Sequence, residues 1–85
     1  METEAVQVAL QNAQALKAIA AGVCMGLGAW GPAVAEGYVA GQAMQAIGRN
    51  PEASDKINSQ ILVLMAVCES TGIYALVVAL IILFT

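Results

Sequence analysis

Residues 61–84 read ILVLMAVCESTGIYALVVALIILF, and this stretch decides the fold. Apart from Glu69 it carries no charge. At about 24 residues it exceeds the roughly 20 that an α-helix needs to cross a bilayer. A second apolar run, Ala18 to Ala35, is uncharged and ends at Glu36, another lone carboxylate in apolar sequence. The whole chain is 60% hydrophobic and 11% charged, against roughly 45–50% and 25% in soluble domains. The expected fold class is therefore an all-α membrane protein, with two transmembrane helices in an antiparallel hairpin. Residues 1–85 make a single domain: a first helix over 5–47, a polar turn over 48–53 and a second helix over 54–84. The first segment is rich in Ala, Gln and Leu, which favour helix. Gly48-Arg49-Asn50-Pro51 ends it, with Gly as a stop and Pro as a residue that cannot continue it. So short a connection makes the two helices antiparallel neighbours.

The charges define the topology. Glu2, Glu4 and Lys17 lie towards the N-terminal end, while Arg49, Glu52, Asp55 and Lys56 lie between the apolar runs. Two of the three positive charges thus fall in the connection, which predicts a cytoplasmic turn with both ends of the hairpin across the membrane. No basic region of the kind that opens a signal peptide precedes the first helix. The net charge of −3 itself says nothing about nucleic acid, but no basic patch exists to hold phosphates, and no nucleic-acid partner is expected. The chain has no His, and Cys24 and Cys68 sit one in each apolar run. They have no metal-ligand spacing and read as small buried hydrophobes. No cofactor is expected.

Glu36 and Glu69 carry the chemistry. A charge at bilayer depth costs at least ~2.5 kcal/mol, so such residues are rare and mark paths for ions or protons. The midpoint of 36 and 69 falls inside the turn. In an antiparallel hairpin both carboxylates then share one depth, roughly 25 Å from the turn. The first helix also alternates small residues at Ala29, Gly31, Ala33, Ala35 and Gly37. Small residues let helix backbones approach closely in lipid, so the expectation is an inner ring of tightly packed first helices. Pro32 interrupts that stripe and removes a bond to the carbonyl of Gly28. A lone pair of helices buries little surface. Assembly with copies of itself or with partners, in contact with membrane lipid, is expected.

Glu69-Ser70-Thr71-Gly72-Ile73-Tyr74, the Arg49-Asn50-Pro51 turn and the small-residue stripe together resemble the c-subunit, or proteolipid, of rotary ATP synthases, over residues 18–84. The resemblance implies a homo-oligomeric ring of hairpins in a bacterial inner (plasma) membrane. That ring would turn against the stator a-subunit and dock the central stalk through Arg49, Asn50 and Pro51. Asn50 stands where the family has Gln. No chemistry on ATP falls to this part of the machine, so the chain would be a non-catalytic transport component. Glu69 would be the ion carboxylate, with Val67 lending a backbone carbonyl and Ser70 a hydroxyl. Thr71 would hold a water, and Tyr74 would hydrogen-bond Glu69. The sodium-binding version of the family has Gln at the position of Glu36. A carboxylate on each helix is instead similar to the N-type rotary ATPases and a few clostridial synthases. Ala29, Ala33 and Ala35 replace three of the family's five glycines, which implies wider helix spacing and a larger ring.

The ion follows from the pair. Glu69, Ser70 and the Val67 carbonyl are hard oxygen ligands that could hold sodium. Two carboxylates side by side in a low dielectric, however, cannot both stay ionised. The expected cargo is therefore the proton, carried on Glu69 with Glu36 as its partner, and sodium on the same rotor is the alternative. Two readings lie outside the family. A small pore-forming hairpin would use the two glutamates to line a channel. A small multidrug transporter would need about four spans and aromatic residues around its glutamate.

Overall fold

The computed structural model describes all residues from 1 to 85. A first helix, α1, spans Glu2–Arg49, a 3-10 turn spans Pro51–Ala53, and a second helix, α2, spans Ser54–Phe84. The two helices lie side by side in a slab 74 × 16 × 10 Å, one helix thick and two wide. The fold is an all-α hairpin. Both helices are long and apolar enough to cross a membrane.

α1 is longer at both ends than the 5–47 read from the sequence. Glu2 and Glu4 occupy its first turn and Arg49 its last, each complementing the helix dipole at its end. Gly48 does not stop the helix, because no glycine in the chain adopts a positive φ. The chain leaves α1 at Asn50, with φ −135° and ψ 78°. Pro51 is the cause, since its ring excludes the residue before it from helical backbone angles. Asn50 N–H still donates to the Ala46 carbonyl at 2.9 Å, and Ala53 N–H donates to the Asn50 carbonyl at 3.0 Å. These bonds close the reversal with backbone alone.

The helices meet along a narrow seam of small side chains. On α1 Ala21, Pro32 and Ala43 are buried, with Cys24, Gly28, Ala35 and Val39 half-buried between them, and on α2 Gly72 and Ala79 are buried, with Cys68 and Ala75 half-buried. Both sets recur every three or four residues, the period of one helix face. The helices leave no room for a side chain at Gly28, where an added Cβ would run into the Ala75 Cβ. One turn on, Pro32 packs over Gly72, whose own added Cβ would lie 3.7 Å from Pro32 Cγ. The Cys24 thiol donates to the Ala75 carbonyl at 3.4 Å. Pro32 leaves α1 unbroken. Its ring is buried, where it fills the space that Gly72 leaves open.

Only five of 85 residues are buried. Leu62 is 73% exposed, Leu27 70% and Tyr74 69%. So much exposed apolar surface has no stable home in water. It belongs against lipid tails or against other helices.

Candidate functional site

The seam fixes a frame for every other side chain, because each residue turns the helix by about 100°. Glu69 follows Cys68 and so sits at one flank of the α2 seam. Glu36 lies on the same flank of α1, half-buried. Their side chains meet, close enough for a hydrogen bond between the two carboxyl groups. The shared depth expected from the sequence is thus a direct contact. Glu69 also curls over Gly72, where an added Cβ would lie 3.1 Å from Glu69 Oε1 and 3.6 Å from its carboxyl carbon. The absent side chain at Gly72 leaves the carboxylate room to lie against the seam.

The other sequence-predicted ligands do not surround Glu69 within one chain. Thr71 is about 200° further round α2 and Tyr74 about 140°, which puts both on the opposite side of the hairpin. Tyr74 is 69% exposed and has no hydrogen-bond partner in its own chain. Ser70 points outward, and its Oγ donates to the Val67 carbonyl at 2.6 Å. The hairpin therefore carries two unlike flanks at one depth. One presents the carboxyl pair, and the other presents Thr71, Tyr74 and the Ser70–Val67 group.

The small-residue stripe resolves into two lines in the same frame. Residues two apart on a helix lie about 200° apart, so Ala29, Ala33 and Gly37 run along the carboxylate flank while Gly31 and Ala35 run along the other. An added Cβ at Gly31 or Gly37 would meet nothing within 4 Å, so neither position is used inside the hairpin. Gly31, Pro32 and Ala35 instead form a shallow groove with Cys68 and Thr71. The groove lies at the level of Glu69, on the side away from it. Arg49, Asn50 and Pro51 are exposed at the turn.

Two residues with structural roles at the site carry weight that sequence reasoning gave elsewhere. Gly28 and Gly72 are the glycines that contact the facing helix. Their phase was a usable signal. Ala21, Gly28, Pro32 and Ala43 share one helical face, and so do Cys68, Gly72 and Ala79, whereas the more conspicuous alternation over 29–37 points elsewhere.

A family profile for the ATP synthase C-subunit matches residues 19–82. The chain is 54% identical over 68 residues to the ATP synthase c-subunit of Petrotoga mobilis, covering 80% of this chain and 71% of that one. It is 46% identical over 73 residues to the ATP synthase c-subunit of Dehalococcoides mccartyi, covering 86% and 96% of the two chains. The similarity to the ATP synthase c-subunit of Thermotoga maritima is 46% over 67 residues, or 79% of each chain.

Proposed function

This chain belongs to the ATP synthase C-subunit family, and from that premise we propose that it is one hairpin of a rotor ring and carries protons on Glu69. Membership makes it a membrane component of an ATP synthase complex. The observation that carries the finer reading is the contact between the Glu36 and Glu69 carboxyls inside an apolar hairpin. A bare carboxylate facing lipid is too costly to persist, so the pair must hold a proton or a bound cation whenever it is away from water. With two acidic groups in contact, one proton shared between them neutralises half the charge, and a second makes the site wholly neutral.

The two unlike flanks support assembly into a ring. An isologous pairing would set like flank on like flank. Here a protruding carboxyl pair lies at the same depth as a groove on the other side, which favours head-to-tail joining. A rotation that closes such an interface yields a ring. In that arrangement Glu36 and Glu69 of one copy face Thr71, Tyr74 and the Ser70–Val67 group of the next, so the site is completed between copies. Ala29, Ala33 and Gly37 of one copy then face Gly31 and Ala35 of its neighbour, where small side chains permit close approach.

The remaining assignments rest on the family. The ring turns against the stator a-subunit, which supplies water and a cationic partner where protons leave and enter. Arg49, Asn50 and Pro51 dock the central stalk from the cytoplasmic side of a bacterial inner membrane. No step on ATP takes place in this chain. Sodium is the second reading, favoured by the hydroxyls of Ser70, Thr71 and Tyr74 on the facing flank. Carbodiimide labelling of the isolated ring across pH, mapped by mass spectrometry, separates the two, because the reagent attacks protonated carboxyls. Labelling at Glu69 that sodium leaves unchanged supports proton coupling, and labelling that sodium blocks at constant pH overturns it.

A further inference from the structure

Lys17 and Gln14 of α1 stand level with Leu83, Phe84 and Thr85 at the end of α2. Beyond them α1 continues to Glu2, about 18 Å of helix that touches nothing else in its own chain and is exposed at every residue. The face that points to α2 within the hairpin turns polar there. Followed upward from Ala21, that line reads Gln14, Leu10, Gln7 and Thr3, and Leu10 alone is too little apolar surface to seat a partner helix on that side.

The two flanks behave differently. Val6, Ala13 and Ala20 lie seven residues apart in the line that leads to Gly31. Val8, Ala15, Gly22 and Ala29 lie seven apart in the line that leads to Ala33. A seven-residue repeat keeps one line of side chains against a neighbouring helix over successive turns. Each pair (6 and 8, 13 and 15, 20 and 22) places an apolar residue on each flank, as the alternation over 29–37 does deeper in the hairpin. Gln11 and Glu4 share the flank of Val8, and Asn12 turns to the side away from α2. The flank lines of the proposed ring thus continue past the end of α2, while the line that faces α2 does not.

We propose that residues 2–16 of neighbouring copies pack side by side as a parallel helical collar beyond the membrane, on the side away from the turn. The occupant of each exposed flank is a second copy of this chain. The proposal rests on the ring reading and adds to it a protein–protein interface in water. Short helices in water gain their stability chiefly from packing an apolar face, and in the collar the flanks of Val6 and Val8 supply that face.

The test uses disulfide trapping in the assembled complex, with Cys24 and Cys68 replaced by alanine. One version carries Val6→Cys and Val8→Cys, a second Ala33→Cys and Ala35→Cys, and a third Gln7→Cys and Gln14→Cys on the line that faces α2. Under mild oxidation the first two should each give a ladder of linked copies on a denaturing gel, and the third should give none. A ladder from the 33/35 pair with none from the 6/8 pair would overturn the collar and leave the ring standing. No ladder from either pair would overturn both. Equal ladders from the 6/8 and 7/14 pairs would mean a disordered or loosely colliding segment, and would also overturn the collar.

Discussion

Replacing Gly28 by alanine puts a methyl group where the Ala75 methyl already stands. Carbon atoms in contact settle at about 3.5–4.0 Å, so the added Cβ forces the helices apart by roughly 1 Å. Overpacking of this kind costs about 1–3 kcal/mol, or roughly 5- to 150-fold in the equilibrium between packed and separated helices. Alanine's greater helix propensity offsets little of this, because a helix released from its partner in lipid stays helical. Gly31→Ala is the control. It carries the same change in propensity, but its new Cβ meets nothing within 4 Å, so hairpin stability should hold within ~0.5 kcal/mol. Ala75→Gly removes the atom that is struck and should rescue Gly28→Ala, with a coupling of about 1–2 kcal/mol in the double-mutant cycle. SDS titration of the isolated hairpin in mild detergent would read this. The signal is energy transfer from Trp30, the single tryptophan, to an acceptor at Thr85→Cys in a background lacking the native cysteines. If Gly28→Ala unfolds with the same midpoint as Gly31→Ala, or if Ala75→Gly gives no rescue, the seam is not where the structure puts it.

Three further outcomes follow from the same geometry. Gly72→Ala brings a Cβ to 3.1 Å from Glu69 Oε1 and should displace the carboxylate. Proton transport in reconstituted vesicles should fall about tenfold, as expected for a loss of ~1.4 kcal/mol, while the hairpin still forms by circular dichroism. Glu36→Gln removes one of the two acids in contact. Sodium, which should leave the labelling of the natural chain unchanged, should then protect Glu69 from carbodiimide, and labelling that sodium still leaves unchanged would remove Glu36 from the choice of ion. The triple change Ala29→Gly, Ala33→Gly, Ala35→Gly takes methyl groups from both flanks, so the ring should close with fewer copies when counted by native mass spectrometry. An unchanged count would separate the stripe from ring size.

The broad design was legible because lipid imposes a simple rule. Apolar runs about 20 residues long must be helices, since no water satisfies their backbone. The two glutamates were equally conspicuous, Glu69 inside the second run and Glu36 ending the first. Subtler were the roles of the glycines. Alternation at Ala29, Gly31, Ala33, Ala35 and Gly37 catches the eye, but it faces outward on both flanks. Gly28 and Gly72, which set the spacing within the hairpin, follow the helical period and stand apart from that stripe. The turn also depended on a competition that composition leaves open. Gly48 was able to stop α1 but did not, and Pro51 acted two residues later through the backbone of Asn50. The ligand set needed the helical wheel as well as the motif. Glu69, Ser70, Thr71 and Tyr74 are neighbours in sequence, yet they point to different sides.

A chain that buries five of its 85 residues has almost no interior of its own, and this bears on how much of it a cell must make. Where stability resides in contacts between like chains, it depends on their concentration in the membrane by mass action. A modest fall in synthesis should then deplete finished assemblies more than in proportion. Solitary hairpins, with their side chains open to any passing helix, should be the species that quality-control proteases remove first. Abundance would be part of the folding reaction.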